Sequence, residues 1–313
     1  MHQLASRDAF PPPPPSAVSA SPDTSIPVVP LKHPVRQTFG LALLIVAVAV
    51  TWNVATNDRF HWNVVSSYLF APEILRGVVL TIILTIVSMT AGISLGTLLA
   101  VMRLSDNPIV NSISRGYIWF FRGTPLLVQL IFWYNIAALY PTISIGIPFG
   151  GPEFMIGSVN TLITPLGAAL LGLSLNEAAY MAEIIRGGIG SVDNGQYDAA
   201  QALGMNKTQL MRRVILPQAM RVVLPPTGNQ VISMLKGTTL VSVLAISDLL
   251  YSAQIIYSLN YQTIPLLIVA SLWYLLMTTI LSFFQDKLEK HYARGFTASV
   301  APARRRFALG RAK

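Results

Sequence analysis

Six apolar stretches, each near the length of a membrane-crossing helix, constrain this chain more than any other feature. They fall at about 38–55, 74–102, 116–140, 158–190, 219–246 and 262–285. At about 1.5 Å rise per residue, roughly 20 residues cross a hydrocarbon layer. Backbone polar groups in lipid must find partners within the segment, and runs this long do so as helices. The ten-residue alternation of a membrane barrel is absent. The expected fold is an all-α integral membrane protein with six transmembrane helices. The first stretch is short, and the second and fourth are long enough to tilt or project. In the fourth, Thr164-Pro165 gives a late start and Asn176-Glu177 makes the second half polar.

Composition separates this reading from a soluble core. Charged residues make up 11% of the chain and apolar ones 53%, where a soluble domain carries about 25% charged residues. The net charge of +9 lies in short segments between the apolar runs and in the C-terminal tail. That distribution sets membrane orientation and does not describe a nucleic-acid surface, so no nucleic-acid partner is expected. With no cysteine, disulfides, thiolate zinc sites and cysteine nucleophiles are excluded.

The basic residues alternate. The leader carries Arg7, Lys32 and Arg36. The segment between the second and third stretches carries Arg103 and Arg115. The segment after the fourth carries Lys207, Arg212 and Arg213, with Arg186 and Arg221 at its margins, and the tail is rich in Lys and Arg. Residues 56–73 balance Arg59 against Asp58 and Glu73, with Arg76 just inside the next stretch; 141–157 hold Glu153 and no basic residue, and 247–261 hold Asp248 and no basic residue. The positive-inside rule then places both termini in the cytoplasm, as an even number of spans requires.

Residues 1–37, with the proline run Pro11 to Pro15, read as a disordered, solvated, cytoplasmic leader. It is no convincing cleavable signal, because the first apolar run begins only near Phe39 and no clean cleavage site follows. Residues 291–313 form a basic cytoplasmic tail. Gly92-x-x-x-Gly96, with Gly167, Gly172, Gly187 and Gly188, offers close helix approach.

Residues 195–217 stand apart as a soluble-looking, basic helix–bend–helix. Gln196 to Leu203 can form two helical turns, with Tyr197, Ala200 and Gln201 sharing a surface. Gly204 supplies the left-handed residue that ends such a helix. Asn206 is an N-cap, with Gln209 in the capping-box position. A second helix from Lys207 to Leu216 would stop near Pro217. Physics alone leaves two readings open: a docking element for a cytoplasmic partner, or an amphipathic connection on lipid headgroups.

The spacing then carries a resemblance. Asp198-Ala199-Ala200, Gly204, Val214 and Leu216-Pro217 resemble the cytoplasmic signature of bacterial ABC importer permeases: Glu-Ala-Ala, three residues, Gly, nine residues, Ile, one residue, Leu-Pro. Asp198 and Val214 are conservative departures. The run from Asn176 to Gln196, Phe121-Arg-Gly-Thr-Pro-Leu-Leu-Val-Gln129, Val214 to Gln218, Leu224-Pro-Pro226 and Asn229-Gln230 resemble the polar amino-acid branch of that family. The resemblance covers about residues 72–290, as a five-helix core, and leaves 38–55 as an added N-terminal helix.

The resemblance implies an ATP-driven importer of polar amino acids in the bacterial inner membrane. This chain would be one of two permease subunits, identical or homologous, above a cytoplasmic ABC ATPase dimer and fed by an extracytoplasmic solute-binding protein. Gly195, Asp198, Ala199, Ala200, Gly204, Leu216 and Pro217 would lie in the ATPase-coupling element. ATP and magnesium would bind the partner ATPase, with no cofactor in this subunit. The residues agree that this subunit does not hydrolyse ATP: it has no Gly-x-x-x-x-Gly-Lys-Ser/Thr loop; it also has no His-Glu-x-x-His pair, and its histidines are His2, His33, His61 and His291. The alternative is a secondary transporter or channel, which would need an inverted repeat and mid-membrane ion ligands; no convincing repeat is present.

Polar groups inside spans should face the bundle or a wet pathway. Glu183 and Arg186 can pair at i,i+3 as a structural or gating pair. Glu177 lies deeper, with buried pairing and pathway roles both open. Lys236 lies in Lys236-Gly-Thr-Thr239, where the branch commonly has Lys-Asp-Thr-Ser; it either meets a substrate carboxylate or pairs with a helix end or glutamate. Asn229 and Gln230 are further pathway candidates. Gln129, Asn135 and Asn160 either join them or fasten helices together.

Overall fold

The computed structural model describes residues 34–146 and 153–292, with side-chain surroundings for 38–142 and 157–292. The expected leader up to residue 33 and the tail beyond 292 lie outside the described residues. The chain divides into two units, 1–57 and 58–313.

The first unit contains α1 (Pro34–Thr56), whose segment Thr38–Thr56 is long and apolar enough to cross a membrane. Proline suits the helix start because its missing N–H would have no helical partner there.

In the second unit a 3-10 turn (Asp58–Phe60) and α2 (Trp62–Tyr68) lead into the 32-residue α3 (Pro72–Arg103). The Asn107 side chain caps α4 (Pro108–Gly123) by accepting from Ile109 N at 2.9 Å. Next come α5 (Leu126–Tyr134), a 3-10 turn (Ile136–Ala138) and an antiparallel hairpin of β1 (Thr142–Gly146) and β2 (Glu153–Ser158). The short α6 (Val159–Leu162) precedes α7 (Pro165–Gly190), where Thr164 caps the helix through Gly167 N at 3.1 Å. Beyond α7 lie α8 (Asn194–Ala202), α9 (Lys207–Leu210), a π turn (Met211–Ile215), α10 (Leu216–Gly237), a 3-10 segment (Thr238–Leu244), α11 (Leu249–Asn260) and α12 (Thr263–Tyr292).

Helices α3 and α7 form the centre. A methyl placed on Gly92 would lie 2.7 Å from Glu177 Cγ, and one on Gly96 2.6 Å from Met181 Cβ. The Gly-x-x-x-Gly spacing therefore lets these two backbones meet without intervening side chains. One apolar cluster joins Val65, Ile74, Leu249 and Leu266. A second joins Leu84, Leu130, Leu173 and Val241.

The structure is helical, as expected, with the β-hairpin as a departure. Among the described residues four helices are long and apolar enough to cross a membrane, or five if the bent pair Lys207–Leu244 and Leu249–Asn260 counts as one span. The expected third span, 116–140, is not one helix. It breaks at Thr124, which adopts φ −108 and ψ 142, because the residue before a proline is driven out of the helical region. The expected fourth span begins at Pro165 rather than 158, with β2 and α6 before it. The expected fifth ends its α-helix at Gly237, narrows to a 3-10 segment, and turns at Ala245 with φ 56.

Pro217 does not stop the helix begun at Lys207. The π turn immediately before it widens the backbone where a proline ring would clash with the preceding carbonyl, and α10 continues from Leu216. The first strand of the hairpin was also legible locally, since Ile143 and Ile145 alternate with Thr142, Ser144 and Gly146; the second was not, because Phe154-Met155-Ile156 is a continuous apolar run.

Candidate functional site

The 195–217 element is built by local caps. Asp193 accepts from Gly195 N at 2.7 Å and opens α8. The helix ends in a Schellman motif: Met205 N donates to Ala200 O at 3.1 Å, Gly204 N donates to Gln201 O at 2.9 Å, and Gly204 sits at φ 72. The capping box then forms in both directions, Gln209 N to Asn206 Oδ1 at 2.9 Å and Asn206 N to Gln209 Oε1 at 3.1 Å. These bonds satisfy the free backbone groups on both sides of the bend, so its angle is fixed by the local chain.

The element rests on its own small core. Ala200, Leu210 and Ile215 are buried with Ile189, Val192 and Ala219. Gln218 of α10 donates to Gln196 Oε1 at 3.2 Å and to Val214 O at 3.0 Å, tying α10 to α8. Of the seven residues expected in the element, Ala200 is buried; Gly195, Asp198, Ala199, Gly204, Leu216 and Pro217 are exposed. Leu203, absent from that expectation, is 81% exposed at the end of α8. An aliphatic side chain held open beside Ala199, Ala202 and Gly204 gives an apolar, low-relief surface on a rigid frame.

Inside the bundle the expected Glu183–Arg186 pair is present, with Arg186 Nη2 2.7 Å and Nε 3.1 Å from Glu183 Oε2. Arg122 and Arg103 bring further positive charge to Glu183, and Arg122 lies 5.3 Å from the Tyr180 ring centre. Glu177 is buried, 4% exposed, against Gly92 of α3. The Gln230 amide of α10 stands beside its carboxyl group, and Glu177 Oε1 has no hydrogen-bond partner among the described residues. Buried Glu177 and half-buried Gln230, far apart in sequence, thus share one polar site where α3, α7 and α10 meet. Ser88, one turn before Gly92, contributes a second buried oxygen without a hydrogen-bond partner among the described residues.

The other expected residues separate. Asn229 accepts from Gln285 Nε2 of α12 at 2.9 Å and fastens α10 to α12. Lys236 is exposed, and its ammonium group has no ion pair among the described residues. Gln129 fastens helices: its Nε2 donates to Phe121 O at 3.0 Å and Thr124 Oγ1 at 2.7 Å. Asn176 Nδ2 donates to the same Phe121 carbonyl at 2.9 Å and to Gln129 Oε1 at 3.2 Å. In an unbroken helix Phe121 O would accept from residue 125, which is a proline and has no N–H. Two amide side chains replace the lost donor. Asn135 bonds within its own turn, to Ile131 O at 2.8 Å. With Asn160 it lines an open cavity of about 450 Å³ beside the start of α7.

Asp248 was counted from sequence as a loop charge, yet it is fully buried. It caps α11 by accepting from Tyr251 N at 2.9 Å, and it accepts from Tyr274 Oη at 3.3 Å. The available signal was an Asp immediately before an apolar run, an N-cap pattern.

The family model described as "binding-protein-dependent transport system inner membrane component" matches residues 92–294. The chain is 44% identical to the arginine transport system permease protein ArgU of Corynebacterium glutamicum, covering 91% of this chain and 89% of that one. It is 38% identical to the nopaline transport system permease protein NocM of Agrobacterium fabrum, covering 67% and 84%. The crystal structure of an amino acid ABC transporter with histidines aligns with a TM-score of 0.62 at 35% identity, over 72% of this chain and 97% of that one.

Proposed function

This chain belongs to the family of binding-protein-dependent transport system inner membrane components, and from that membership we infer that it forms the transmembrane pathway of an ATP-driven amino-acid importer. It is a multi-pass protein of the inner membrane and the non-hydrolytic subunit, with ATP hydrolysis belonging to a separate ATPase. The single observation that carries the coupling assignment is the rigid 193–217 element, doubly capped and seated on its own core, with Leu203 held in the open.

The working assembly contains two permease subunits, identical or homologous, a cytoplasmic ATPase dimer that binds ATP and magnesium, and an extracytoplasmic solute-binding protein. Gly195, Asp198, Ala199, Ala200, Gly204, Leu216 and Pro217 belong to the coupling element. Glu177 and Gln230 form a polar pathway site, Lys236 faces the pathway, Glu183 and Arg186 act at its cytoplasmic end, and Asn229 holds α10 against α12. The solute is a polar amino acid. Arginine is the first to test, because the arginine permease of C. glutamicum is similar over 91% of this chain.

The topology has six spans with both termini in the cytoplasm. The α4–α5 pair serves as one broken span, and α10 with the 3-10 segment and α11 as another. Two contacts support this. The base-poor segment 56–73 meets the residue that follows the base-poor 247–261, His61 Nδ1 lying 2.8 Å from Gln262 Oε1. At the basic end Arg103 of α3 lies near Glu183 of α7. The domains are a leader, an added helix α1, a permease core over 72–290 and a basic tail. The ArgU alignment covers so much of the chain that it must include part of 1–57, which supports α1 as a working part of an arginine-type permease.

Since the chain has no cysteine, single cysteines report topology cleanly. A membrane-impermeant thiol reagent should label Leu259→Cys but not Gln201→Cys in intact spheroplasts; the reverse pattern overturns the topology. Tagged chain should co-purify its ATPase, and Leu203→Asp should release it while leaving the chain in the membrane. Undiminished co-purification by Leu203→Asp would remove the docking role from this surface.

A further inference from the structure

The hairpin between α3 and α4 holds two guanidinium groups on one neutral oxygen. Arg103 Nη1 donates to Asn111 Oδ1 at 2.7 Å and Arg115 Nε donates to the same oxygen at 2.9 Å. Asn111 Nδ2 donates back to Arg103 O at 2.8 Å, which fixes the amide's orientation. Asn111 and Arg103 are both partly enclosed, and Arg115 is exposed. Neither guanidinium is in an ion pair among the described residues, and the carboxylate that Arg103 lies near, Glu183, is already paired with Arg186. Among the described residues the one ion pair is Glu183–Arg186, and Asp106, in the same turn, pairs with neither arginine.

A shared acceptor holds the two donor nitrogens within about 6 Å of each other, close enough for one tetrahedral anion to bridge them. Position selects the anion. Arg103 ends a 32-residue apolar helix, which at about 1.5 Å per residue reaches beyond a ~30 Å hydrocarbon layer. Beside it Val101, Ile109 and Ile113 are 61%, 69% and 59% exposed. Charge at headgroup depth next to uncovered aliphatic surface fits a lipid, whose two ends match the two parts of the patch.

We propose that Arg103, Asn111 and Arg115 form a binding site for the phosphate of an anionic phospholipid. The leaflet follows from the topology proposed above; the site does not depend on it.

The full-length chain in mixed micelles of equimolar phosphatidylglycerol and phosphatidylcholine, read by native mass spectrometry, tests this without any transport step. The native chain should retain phosphatidylglycerol preferentially. That preference should fall by about fivefold for each guanidinium removed in Arg103→Gln and Arg115→Gln. Asn111→Asp gives a second variant that keeps an acceptor for both arginines, at the loss of the Nδ2 bond to Arg103 O, and lowers the charge of the site from +2 to +1; it should also weaken the preference. Equal retention of the two lipids by the native chain, or native preference in Asn111→Asp, would overturn the proposal. Loss of the preference in millimolar inorganic phosphate would overturn the lipid assignment in favour of a free-anion site.

Discussion

The Glu177 side chain lies directly over Gly92, so that a methyl on the glycine would come within 2.7 Å of Glu177 Cγ and 2.8 Å of Cβ. The contact fixes the spacing of α3 and α7 and sets the depth at which the buried carboxyl group sits. Replacing Gly92 with Val should cost about 1–3 kcal/mol by overpacking. Gly116 of α4 faces open space, so Gly116→Ala should be neutral or stabilising by up to ~1 kcal/mol. Thermal unfolding of the two detergent-solubilised variants compares them; equal melting temperatures would contradict the close approach.

Gly204 requires backbone freedom and no space. Nothing lies within 4 Å of its added methyl, but its φ is 72. A β-branched residue there pays roughly 1–2 kcal/mol for the left-handed conformation, and the α8–α9 bend should shift. Gly204→Val should insert normally while ATP-coupled uptake falls about 5–30-fold. Gly204→Asn, which tolerates left-handed geometry, should retain most of it. Membrane-fraction blots paired with uptake assays separate the two effects.

The Phe121 carbonyl gives a thermodynamic cycle. Asn176→Ala should cost about 1–3 kcal/mol, the usual penalty for stranding a buried polar group. Pro125→Ala restores an N–H that can reach Phe121 O. In that background Asn176→Ala should cost measurably less, and additive melting shifts would show that Asn176 does not serve the proline break.

Asp248 should behave as a cap and an acceptor at once. Asp248→Asn keeps an oxygen for Tyr251 N, so its loss should stay below that of Asp248→Ala. The alanine variant forfeits the cap, about 0.5–2 kcal/mol, and leaves Tyr274 Oη without this acceptor. Unfolding midpoints of the two variants provide the check, and equal midpoints would contradict the capping role.

Local chemistry explains what was legible from sequence. The Asn206–Gln209 box and the left-handed Gly204 depend on residues within six positions of each other, so the bend at 195–217 could be read directly. Long runs such as 74–102 and 262–285 declared α3 and α12 for the same reason. The breaks were harder. Thr124-Pro125 reads equally well as a helix start or a kink, and the outcome depends on Gln129 and Asn176 arriving to satisfy Phe121 O. Pro217 reads as a stop until the π turn before it is seen. Asp248 counted as a loop charge because its burial depends on α3 and α12, distant in sequence. The convergence of Glu177 on Gln230 carries no local signal, since it exists only once α7 and α10 pack together.

The most direct test of the account is solute entry. The chain, its partner ATPase and the solute-binding protein are reconstituted in liposomes with labelled arginine and other polar amino acids. The account predicts entry that requires ATP inside and the binding protein outside, and that collapses in Gly204→Val. Entry that persists without ATP or without the binding protein, or a correctly assembled complex that moves no amino acid, would contradict it.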